Sequence, residues 1–465
     1  MNCINIPADI CAGKENGGVL RINTPICDFV EKYNKSGMTR AHMPGHKGIC
    51  PFPSGFDSAY PYDITEIKNA DALFEAEGII AESEKNASEL FGTAETVYSC
   101  GGSTASVQTM LAICCGIGGK VIAARNVHRS FINSAALLDL SAEWIYPENS
   151  AGIVSGKITP EAVNKAIEAH KGAAAVYITS PDYLGHISDI KGIAEVCHRH
   201  GAYLICDNAH GAYTAFLEQP LHPIALGADI CCDSAHKTLP VLTGGGYLHI
   251  GNAALAGKAK EYMSVFCSTS PSYLILQSLD LCNRYISERI RSDLENTVTK
   301  IQRLKDALSP PFEFYGEEPL KITVHTSVSG IGGYDAAEHF RRYGIEPEYA
   351  DSCYVVLMLS PFNSDGDFER IYKAFSEMKM PRIILPEAPS AALRLDTAVS
   401  IREAVFSPCE PINTREAAGR ICGRAVTVCP PGIAAAVPGE IISEEAAELL
   451  ENMGINRINV ISKEV

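Results

Sequence analysis

The sequence predicts an α/β fold built on a mostly parallel, seven-stranded sheet, because short apolar runs alternate with helical patterns from residue 96 onward. The runs predict strands near 96–100, 120–124, 142–146, 173–179, 202–206, 229–233 and 245–250. This alternation is typical of parallel strands covered by helices on both faces. Ligands of such folds bind beyond the carboxyl ends of the strands, and polar motifs of this chain fall at those ends.

Helical spacing and proline placement predict four successive parts of the chain. They are an N-terminal arm (1–65), a large cofactor-binding domain (66–270), a small α/β domain (271–380) and a C-terminal α+β module (381–465). Helices are expected over 25–33, 71–91, 273–308, 336–343, 367–378, 400–405 and 443–453. Two further strands are expected over 321–326 and 354–359, and a proline-rich linker over 381–389.

Length and charge restrict the classes of partner. The chain has 465 residues, enough for two or three domains, and a formal net charge of -16. That charge argues against nucleic-acid or anionic-membrane partners, whose phosphates would be repelled. We expect a cytoplasmic protein, because no signal-peptide pattern, no apolar run of membrane-spanning length and no Cys-x-x-Cys pair occurs among the 17 cysteines. Those cysteines are expected to be reduced thiols.

The strongest candidate for chemistry is Lys237, which lies between two apolar runs that end at Cys232 and begin at Gly246. A lysine at the end of buried strands is partly desolvated, which lowers its pKa and makes the free amine available to attack a carbonyl. The alternative is that Lys237 is exposed and only follows a strand, as most lysines do. The residues around it favour the first interpretation.

Two further groups complete the requirements of pyridoxal phosphate. Asp207 ends the preceding apolar strand, and a carboxylate there would keep the ring nitrogen protonated. A glycine pair followed by Ser103 and Thr104 opens a helical pattern, which would offer hydroxyls and a positive helix end to the phosphate. An acid, a lysine and a phosphate-binding turn in this order predict a pyridoxal phosphate enzyme.

Together these segments resemble the ornithine/lysine/arginine decarboxylases of the PLP-dependent transferase fold type I. The motifs are His42-Met-Pro-Gly-His-Lys-Gly48, Arg125-Asn-Val-His-Arg-Ser130, Ser180-Pro-Asp-Tyr-Leu-Gly185, Asp207-Asn-Ala-His-Gly-Ala212, Ser234-Ala-His-Lys-Thr-Leu239 and Ser268-Thr-Ser-Pro-Ser-Tyr273. Cys429-Pro-Pro-Gly-Ile433 and Val437-Pro-Gly-Glu440 are similar to the C-terminal domain of that family. The resemblance covers residues from about 38 to the C-terminus.

The resemblance implies decarboxylation of a basic L-amino acid, with arginine preferred over lysine or ornithine, as in polyamine biosynthesis. It also implies roles for the site residues. Lys237 would hold the cofactor, Asp207 would face the ring nitrogen, and His128 would stack on the ring. Ser103, Thr104, Ser234 and His236 would hold the phosphate, and His210 would support the cofactor. Thr269 would reach the phosphate of a neighbouring subunit, so a homodimer with shared active sites is expected.

Three positions depart from the family pattern: Asp182 replaces a small polar residue, Asn208 replaces a common glutamate, and three glycines follow Thr243. We expect no metal site, because His42 and His46 lie in a loop without a third ligand.

Several alternatives stay open at this point. One alternative is that His128 only begins a helix. Others are an aminotransferase or aldolase on the same scaffold, or a non-catalytic cofactor-binding protein. An aminotransferase would need an arginine for the substrate carboxylate, for which the sequence offers Arg341 and Arg342. Four acids are candidates to bind the positively charged end of a basic substrate, and the sequence does not rank them. They are Glu346, Glu348, Asp351 and Glu440.

Overall fold

The computed structural model describes residues 22–151, 155–379, 393–427 and 432–463. Its α-helices are α1 Pro25–Lys35, α2 Ile79–Phe91, α3 Gly102–Cys115, α4 Arg129–Leu138, α5 Pro160–Ala169, α6 Ile190–Arg199, α7 Ala235–Thr238, α8 Ala259–Phe266, α9 Tyr273–Glu288, α10 Ile290–Leu308, α11 Gly333–Arg342, α12 Asp365–Ser376, α13 Ile401–Phe406 and α14 Glu444–Asn452. Among them, no helix combines the length and apolar character needed to cross a bilayer.

The strands form one large sheet and several small ones. They are β1 Glu95–Ser99, β2 Lys120–Ala124, β3 Ser141–Ile145, β4 Glu148–Ala151, β5 Ser155–Lys157, β6 Ala175–Thr179, β7 Tyr203–Asp207, β8 Ile230–Asp233, β9 Gly246–Ile250, β10 Phe314–Tyr315, β11 Lys321–His325, β12 Tyr349–Ala350, β13 Tyr354–Met358, β14 Cys409–Asn413, β15 Val426–Thr427, β16 Ala434–Ala436 and β17 Arg457–Ile461.

The large sheet has seven strands in the order β1-β9-β8-β7-β6-β2-β3. The central pairs are parallel, and β9 runs antiparallel to both of its neighbours. This confirms the predicted mostly parallel seven-stranded sheet, with each strand starting and ending within two residues of its prediction. The carboxyl ends of β6, β7 and β8 therefore lie side by side at one edge.

Both faces of the large sheet are buried, which explains why its strands are continuously apolar in sequence. In β7, Ile205 belongs to the core cluster on one face, with Phe131 of α4, whereas Leu204 and Cys206 belong to the cluster on the other face, with Ile193 of α6. All of these side chains are fully buried. The closely packed sheet gives the polar residues at its edge a rigid support.

The predicted second unit is a four-stranded antiparallel sheet in the order β10-β11-β13-β12. Helix α11 packs against β13, and α10 contacts α12. In the C-terminal part, β14 pairs with β17 and β15 with β16. The described cysteines are all free thiols, as expected. The predicted domain boundaries stay predictions, and the linker 381–389 and residues 428–431 lie outside the described residues.

Two predicted helices are wrong in extent. The helix expected over 71–91 begins only at Ile79, because Asp71 adopts a positive φ of 72° and its carboxylate accepts hydrogen bonds from the backbone N–H groups of Gly78 and Ile80, at 2.8 and 3.0 Å. The side chain thus stabilises a loop ahead of the helix. The helix expected over 273–308 is two helices, because the chain leaves helical geometry at Arg289 (φ -139°, ψ -27°).

A buried ion pair connects the large sheet to the C-terminal module. Arg125 follows β2, and its guanidinium lies 3.2 Å from the carboxylate of Glu440, with both side chains 2% exposed. The guanidinium also donates to the carbonyl oxygens of Ala434 and Ala435, at 2.6 and 3.1 Å. Glu440 in turn accepts from the backbone N–H of Val437 at 2.7 Å. The C-terminal module is therefore tied to the strand that precedes His128.

Replacing Glu440 by glutamine should destabilise the protein, because it leaves the Arg125 charge buried without its counter-ion. We expect a loss of about 3–5 kcal/mol, which corresponds to a Tm lower by roughly 3–5 °C for a chain of this length. Scanning calorimetry measures the change. The matched control is Glu89→Gln, in an exposed pair with Lys85, which should change stability by less than about 1 kcal/mol. Equal Tm values for both variants would contradict this account.

Candidate active site

Lys237 lies in the one-turn helix α7, between the end of β8 and the start of β9. Its Nζ donates a hydrogen bond to Nε2 of His210 at 3.1 Å. Burial lowers the pKa of Lys237, against the charges of Asp207 and Glu348, which raise it. The lowered pKa agrees with the sequence prediction, and it favours the neutral, nucleophilic amine.

Asp207 is the last residue of β7, beside β8, and it is 3% exposed. Its carboxylate accepts hydrogen bonds from the Tyr177 hydroxyl at 3.0 Å and from the backbone N–H of Ala209 at 3.2 Å. Tyr177 belongs to β6, where its position in an apolar run gave no sign of a polar role. The charge of Asp207 acts on Lys237, so the predicted acid and the predicted lysine share one edge of the sheet.

His210 contacts Lys237 and follows Asp207 by three residues. Burial holds its pKa well below the ordinary value, and the charges of Lys237, Lys321 and His128 lower it further. The imidazole is therefore neutral, and its Nε2 lies 3.1 Å from Nζ of Lys237. Nδ1 is buried without a hydrogen-bond partner among the described residues. A buried polar atom of this kind calls for a hydrogen-bond partner beyond the described residues.

The predicted phosphate-binding turn lies at the start of α3. No side chain caps this helix, so the backbone N–H groups that follow Gly102 in its first turn are available to an anion. The hydroxyl of Ser234 donates to that of Ser103 at 2.8 Å, and the Gly102 N–H donates to the Gly244 carbonyl at 2.8 Å. Ser103 and Ser234 are thus brought together, whereas Thr104 is exposed on the same turn.

The glycine run after Thr243 allows the start of β9 to lie close to the start of α3 and to the end of β8. A Cβ at Gly246 would lie 2.9 Å from the carbonyl oxygen of Asp233 and 3.5 Å from the backbone nitrogen of Ser103. The Gly245 carbonyl accepts from Nδ1 of His236 at 2.9 Å, which fixes that ring. This departure from the family pattern therefore shapes the turn that carries the predicted phosphate ligands.

His128 is the N-cap of α4, and its Nδ1 accepts from the backbone N–H of Ser130 at 3.1 Å. Its backbone also pairs with Ile433 of the C-terminal module. The histidine thus begins a helix, as the alternative interpretation had it, but its charge also acts on His210. The stacking of this ring on a cofactor stays a prediction.

Thr269 is not brought to Lys237 within one chain. It lies exposed in the segment between α8 and α9. The neighbouring Ser268 and Ser270 line a cavity of about 530 Å³ together with Thr104 and Gly101, and Lys237 does not line this cavity. The cavity therefore reaches the turn that carries the predicted phosphate ligands.

Asp182 has a structural role that the sequence did not reveal. One carboxylate oxygen accepts from the backbone N–H groups of Leu184, Gly185 and His186 at 2.9–3.1 Å, and the other accepts from the Ser155 hydroxyl at 2.6 Å. The carboxylate is consumed in holding its own loop and the strand β5. It is not available to a substrate.

The structure ranks the four acids that the sequence left unranked. Glu440 is paired with Arg125, and Glu346 lies on the surface 2.9 Å from Arg341. Asp351 accepts two backbone N–H groups in a turn before β13. Glu348 is exposed, contacts the Tyr183 hydroxyl at 3.4 Å, and its charge acts on Lys237. Of the four, Glu348 is the acid that faces the site.

Comparison with known proteins agrees with this geometry. Residues 24–310 match the major domain of the Orn/Lys/Arg decarboxylases, and residues 385–457 match the C-terminal domain of the same family. An arginine decarboxylase of Bacillus subtilis strain 168 is 30% identical over 91% of this chain and 92% of its own length. One from Halalkalibacterium halodurans is 30% identical over 90% and 91%.

A solved structure shows the same fold. Lysine decarboxylase A from Pseudomonas aeruginosa superposes with a TM-score of 0.78 at 16% identity, over 94% of this chain and 80% of that chain. The predicted fold and the predicted resemblance are both confirmed. This chain belongs to the Orn/Lys/Arg decarboxylase family.

Proposed function

We propose that the protein is a pyridoxal phosphate-dependent decarboxylase that converts a basic L-amino acid, with arginine preferred, to its amine and carbon dioxide. The observation that carries the proposal is the hydrogen bond of 3.1 Å from Lys237 Nζ to His210, at the sheet edge where Asp207 also ends its strand. Family membership supports the reaction class. Relatives named arginine decarboxylase support the substrate preference.

The residues present fit the cofactor. Nδ1 of His210 is buried and has no hydrogen-bond partner among the described residues, and α3 begins without a side-chain cap beside the paired hydroxyls of Ser103 and Ser234. Pyridoxal phosphate requires an acid, a lysine with a lowered pKa and a helix start that can bind an anion. Lys237 would hold its aldehyde carbon, Asp207 its ring nitrogen, and Ser103, Thr104, Ser234 and His236 its phosphate.

When bound, pyridoxal phosphate would supply an electron-accepting ring for the electrons that remain after carbon dioxide leaves. The chain's own residues would do the rest. Asp207, held by the Tyr177 hydroxyl, would keep a proton on the ring nitrogen. The neutral amine of Lys237 would bind and release the cofactor, and its Nζ would afterwards return a proton to the substrate carbon. His210 would accept a hydrogen bond from that amine and so orient it.

Glu348 is proposed to recognise the positively charged end of the substrate. It belongs to the second sheet, next to β12, and Tyr183 connects it to the site through an aromatic contact with His210 (ring centroids 5.3 Å apart). A carboxylate can accept a guanidinium in a bidentate pair, which suits arginine better than the point charge of lysine. This supports arginine as the preferred substrate.

The aminotransferase alternative has less support. Arg341 pairs with Glu338 and Glu346 on the surface of α11, and its side chain is 43% exposed. Arg342, next to it on the same helix, is also exposed. No observation in the described residues favours an arginine that would clamp a substrate carboxylate.

We further propose a homodimer, because Thr269 is exposed beside a cavity that reaches Thr104 on the phosphate side. A hydroxyl supplied by a second copy would complete the phosphate site. The composition supports a cytoplasmic enzyme that acts on a small, basic amino acid. Nucleic acids and membranes are not proposed as partners, because the net charge is -16.

The proposal is tested by incubating the protein and pyridoxal phosphate with arginine, lysine or ornithine, with and without an oxo-acid acceptor. Carbon dioxide and the amine should form without the acceptor, and fastest from arginine. Product that forms only with the acceptor would instead indicate an aminotransferase. If none of the three amino acids releases carbon dioxide while the cofactor is bound, the assignment is wrong.

Replacing Lys237 by alanine should abolish turnover, because the covalent link to the cofactor and the proton donor are both lost. We expect kcat to fall on the order of 10³-fold or more, and the visible absorption band of the lysine-bound cofactor to disappear. Stopped-flow assays and absorbance spectra measure the two effects. The control is Lys85→Ala, an exposed lysine of α2, which should behave as the wild type. Retention of the visible band in the Lys237 variant would contradict the role.

Replacing Glu348 by glutamine should weaken selection for the charged end of the substrate, because a charge-assisted hydrogen bond becomes a neutral one. We expect kcat/KM for arginine to fall by about 10–100-fold, the equivalent of roughly 1.5–3 kcal/mol, with little change in cofactor affinity. The matched control is Glu346→Gln, two residues away and paired with Arg341. Equal kcat/KM values for both variants would remove Glu348 from the substrate site.

A further inference from the structure

A buried carboxylate that the proposed mechanism does not use lies directly behind the site. Asp233 is the last residue of β8 and is fully buried. One of its oxygens accepts a hydrogen bond from Nδ2 of Asn208 at 2.7 Å. The other accepts from Nε2 of His222 at 3.1 Å and from Nε2 of His249 at 3.2 Å. We refer to these four residues as the Asp233 network.

The network connects the two strands that carry the proposed cofactor ligands. Asn208 directly follows Asp207, and Asp233 directly precedes Ser234. The backbone pairing of β7 with β8 ends at Asp207 and Cys232. The side-chain hydrogen bond from Asn208 to Asp233 extends this connection by one residue, to the point where the segments after β7 and β8 leave the sheet.

The charge of Asp233 is retained in the interior. Burial alone would raise the pKa of this carboxyl, but the two imidazoles, His222 more than His249, hold it well below the ordinary value. Burial lowers the pKa of His249 despite the nearby carboxylate, and Nδ1 of its ring contacts the Thr96 hydroxyl at 2.8 Å. A buried anion of this kind is stable only while every donor around it is in place.

The residue type at position 208 matters because its side chain contacts this anion directly. A carboxylate there would face the carboxylate of Asp233 at hydrogen-bond distance in a fully buried environment, and like charges in such a position repel strongly. The amide of asparagine supplies a donor instead. Asn208 and Asp233 therefore form a pair in which an uncharged amide donor stabilises one buried anion.

We propose that the Asp233 network is a positioning unit that fixes the spacing between Asp207 and Lys237, and that Asn208 and Asp233 act as a coupled pair in doing so. The network acts through the strand ends and touches neither cofactor nor substrate. The inference rests on the proposed function, because its test measures cofactor binding. The distance between Asp207 and Lys237 matters if one cofactor must contact both residues.

The test is an isosteric exchange of the charge. Asn208→Asp places two carboxylates together, and should raise the dissociation constant of pyridoxal phosphate about tenfold or more, the equivalent of roughly 1.4 kcal/mol. It should also move the pH midpoint of the bound cofactor's visible band upward, because added negative charge favours the protonated form. The double variant Asn208→Asp/Asp233→Asn restores one anion and one amide, and should return both quantities to near the wild-type values.

The exchange keeps the rest of the network intact. In the double variant, the amide oxygen at position 233 can accept both imidazoles, and its NH₂ group can donate to the new carboxylate at position 208. In Asp233→Asn alone, Asn208 can turn its amide, because its Oδ1 has no hydrogen-bond partner among the residues that the structure describes. That single variant should therefore show a smaller effect than Asn208→Asp.

A matched control separates positioning from general stability. Asn283 is a fully buried asparagine in α9, one turn from the buried Asp280, and its Nδ2 donates to the Tyr98 hydroxyl at 2.8 Å. Asn283→Asp should lower the Tm without changing cofactor affinity or the pH midpoint of the band. If it changes them as much as Asn208→Asp does, the effect is one of stability and the proposal is overturned.

The remaining outcomes are decisive as well. If Asn208→Asp binds the cofactor like the wild type, or if the double variant shows no recovery, the coupling is absent. If Asn208→Asp is insoluble, recovery of folding and affinity in the double variant supports the pair, and failure to recover overturns it. A wild-type protein that binds no pyridoxal phosphate refutes the proposed function itself, which is a different result.

A metal ion is the competing account of the same residues. Sγ of Cys231 lies 3.9 Å from Nε2 of His222, and these two groups with Asp233 could ligate a cation. The hydrogen bonds from Asn208, His222 and His249 satisfy the carboxylate without one. Elemental analysis of the purified protein should find no stoichiometric zinc. One zinc per chain that is lost in Cys231→Ser would overturn the assignment.

Discussion

The hydrogen bond from the buried Lys237 amine to the neutral imidazole of His210 is the interaction on which the rest of the site depends. An ammonium at this position is costly because burial removes its water, and the acids near it, Asp207 and Glu348, only partly compensate. The contact with His210, which is itself 6% exposed, holds the side chain at the closely packed sheet edge. A lysine held in this way is suited to exchange a covalent bond at neutral pH.

Buried charges recur around this edge, and each is satisfied by a specific partner. Lys321, 1% exposed, donates to the carbonyl oxygen of Asp182 at 3.0 Å and lies 3.2 Å from Glu318. Arg125 and Glu440 join the C-terminal module to the strand before His128. Buried pairs of this kind add little net stability, but removing one partner is strongly destabilising. Their effect is to hold the separate parts of the chain in one arrangement about the site.

The predictions that failed did so where side chains override local patterns. Apolar spacing over 71–91 predicted a single helix, but Asp71 uses its carboxylate to cap backbone N–H groups of a loop, which periodicity does not register. The acids near β12 looked alike in sequence. Only the fold showed that Glu346 and Asp351 were already paired and that Glu348 faced Lys237.

The sequence by itself determined the parallel sheet, the order of its strands along the chain and the residues at their ends. Buried strands must be continuously apolar, which makes them recognisable in the sequence. The residue types of Lys237, Asp207 and the glycine turn indicate the chemistry predicted for them. Only the tertiary structure decided which groups meet: Tyr177 with Asp207, Ser103 with Ser234, and Asn208 with Asp233. These contacts join residues that are 25 to 131 positions apart in the chain. Such contacts arise from the packing of separate elements, and no local pattern encodes them.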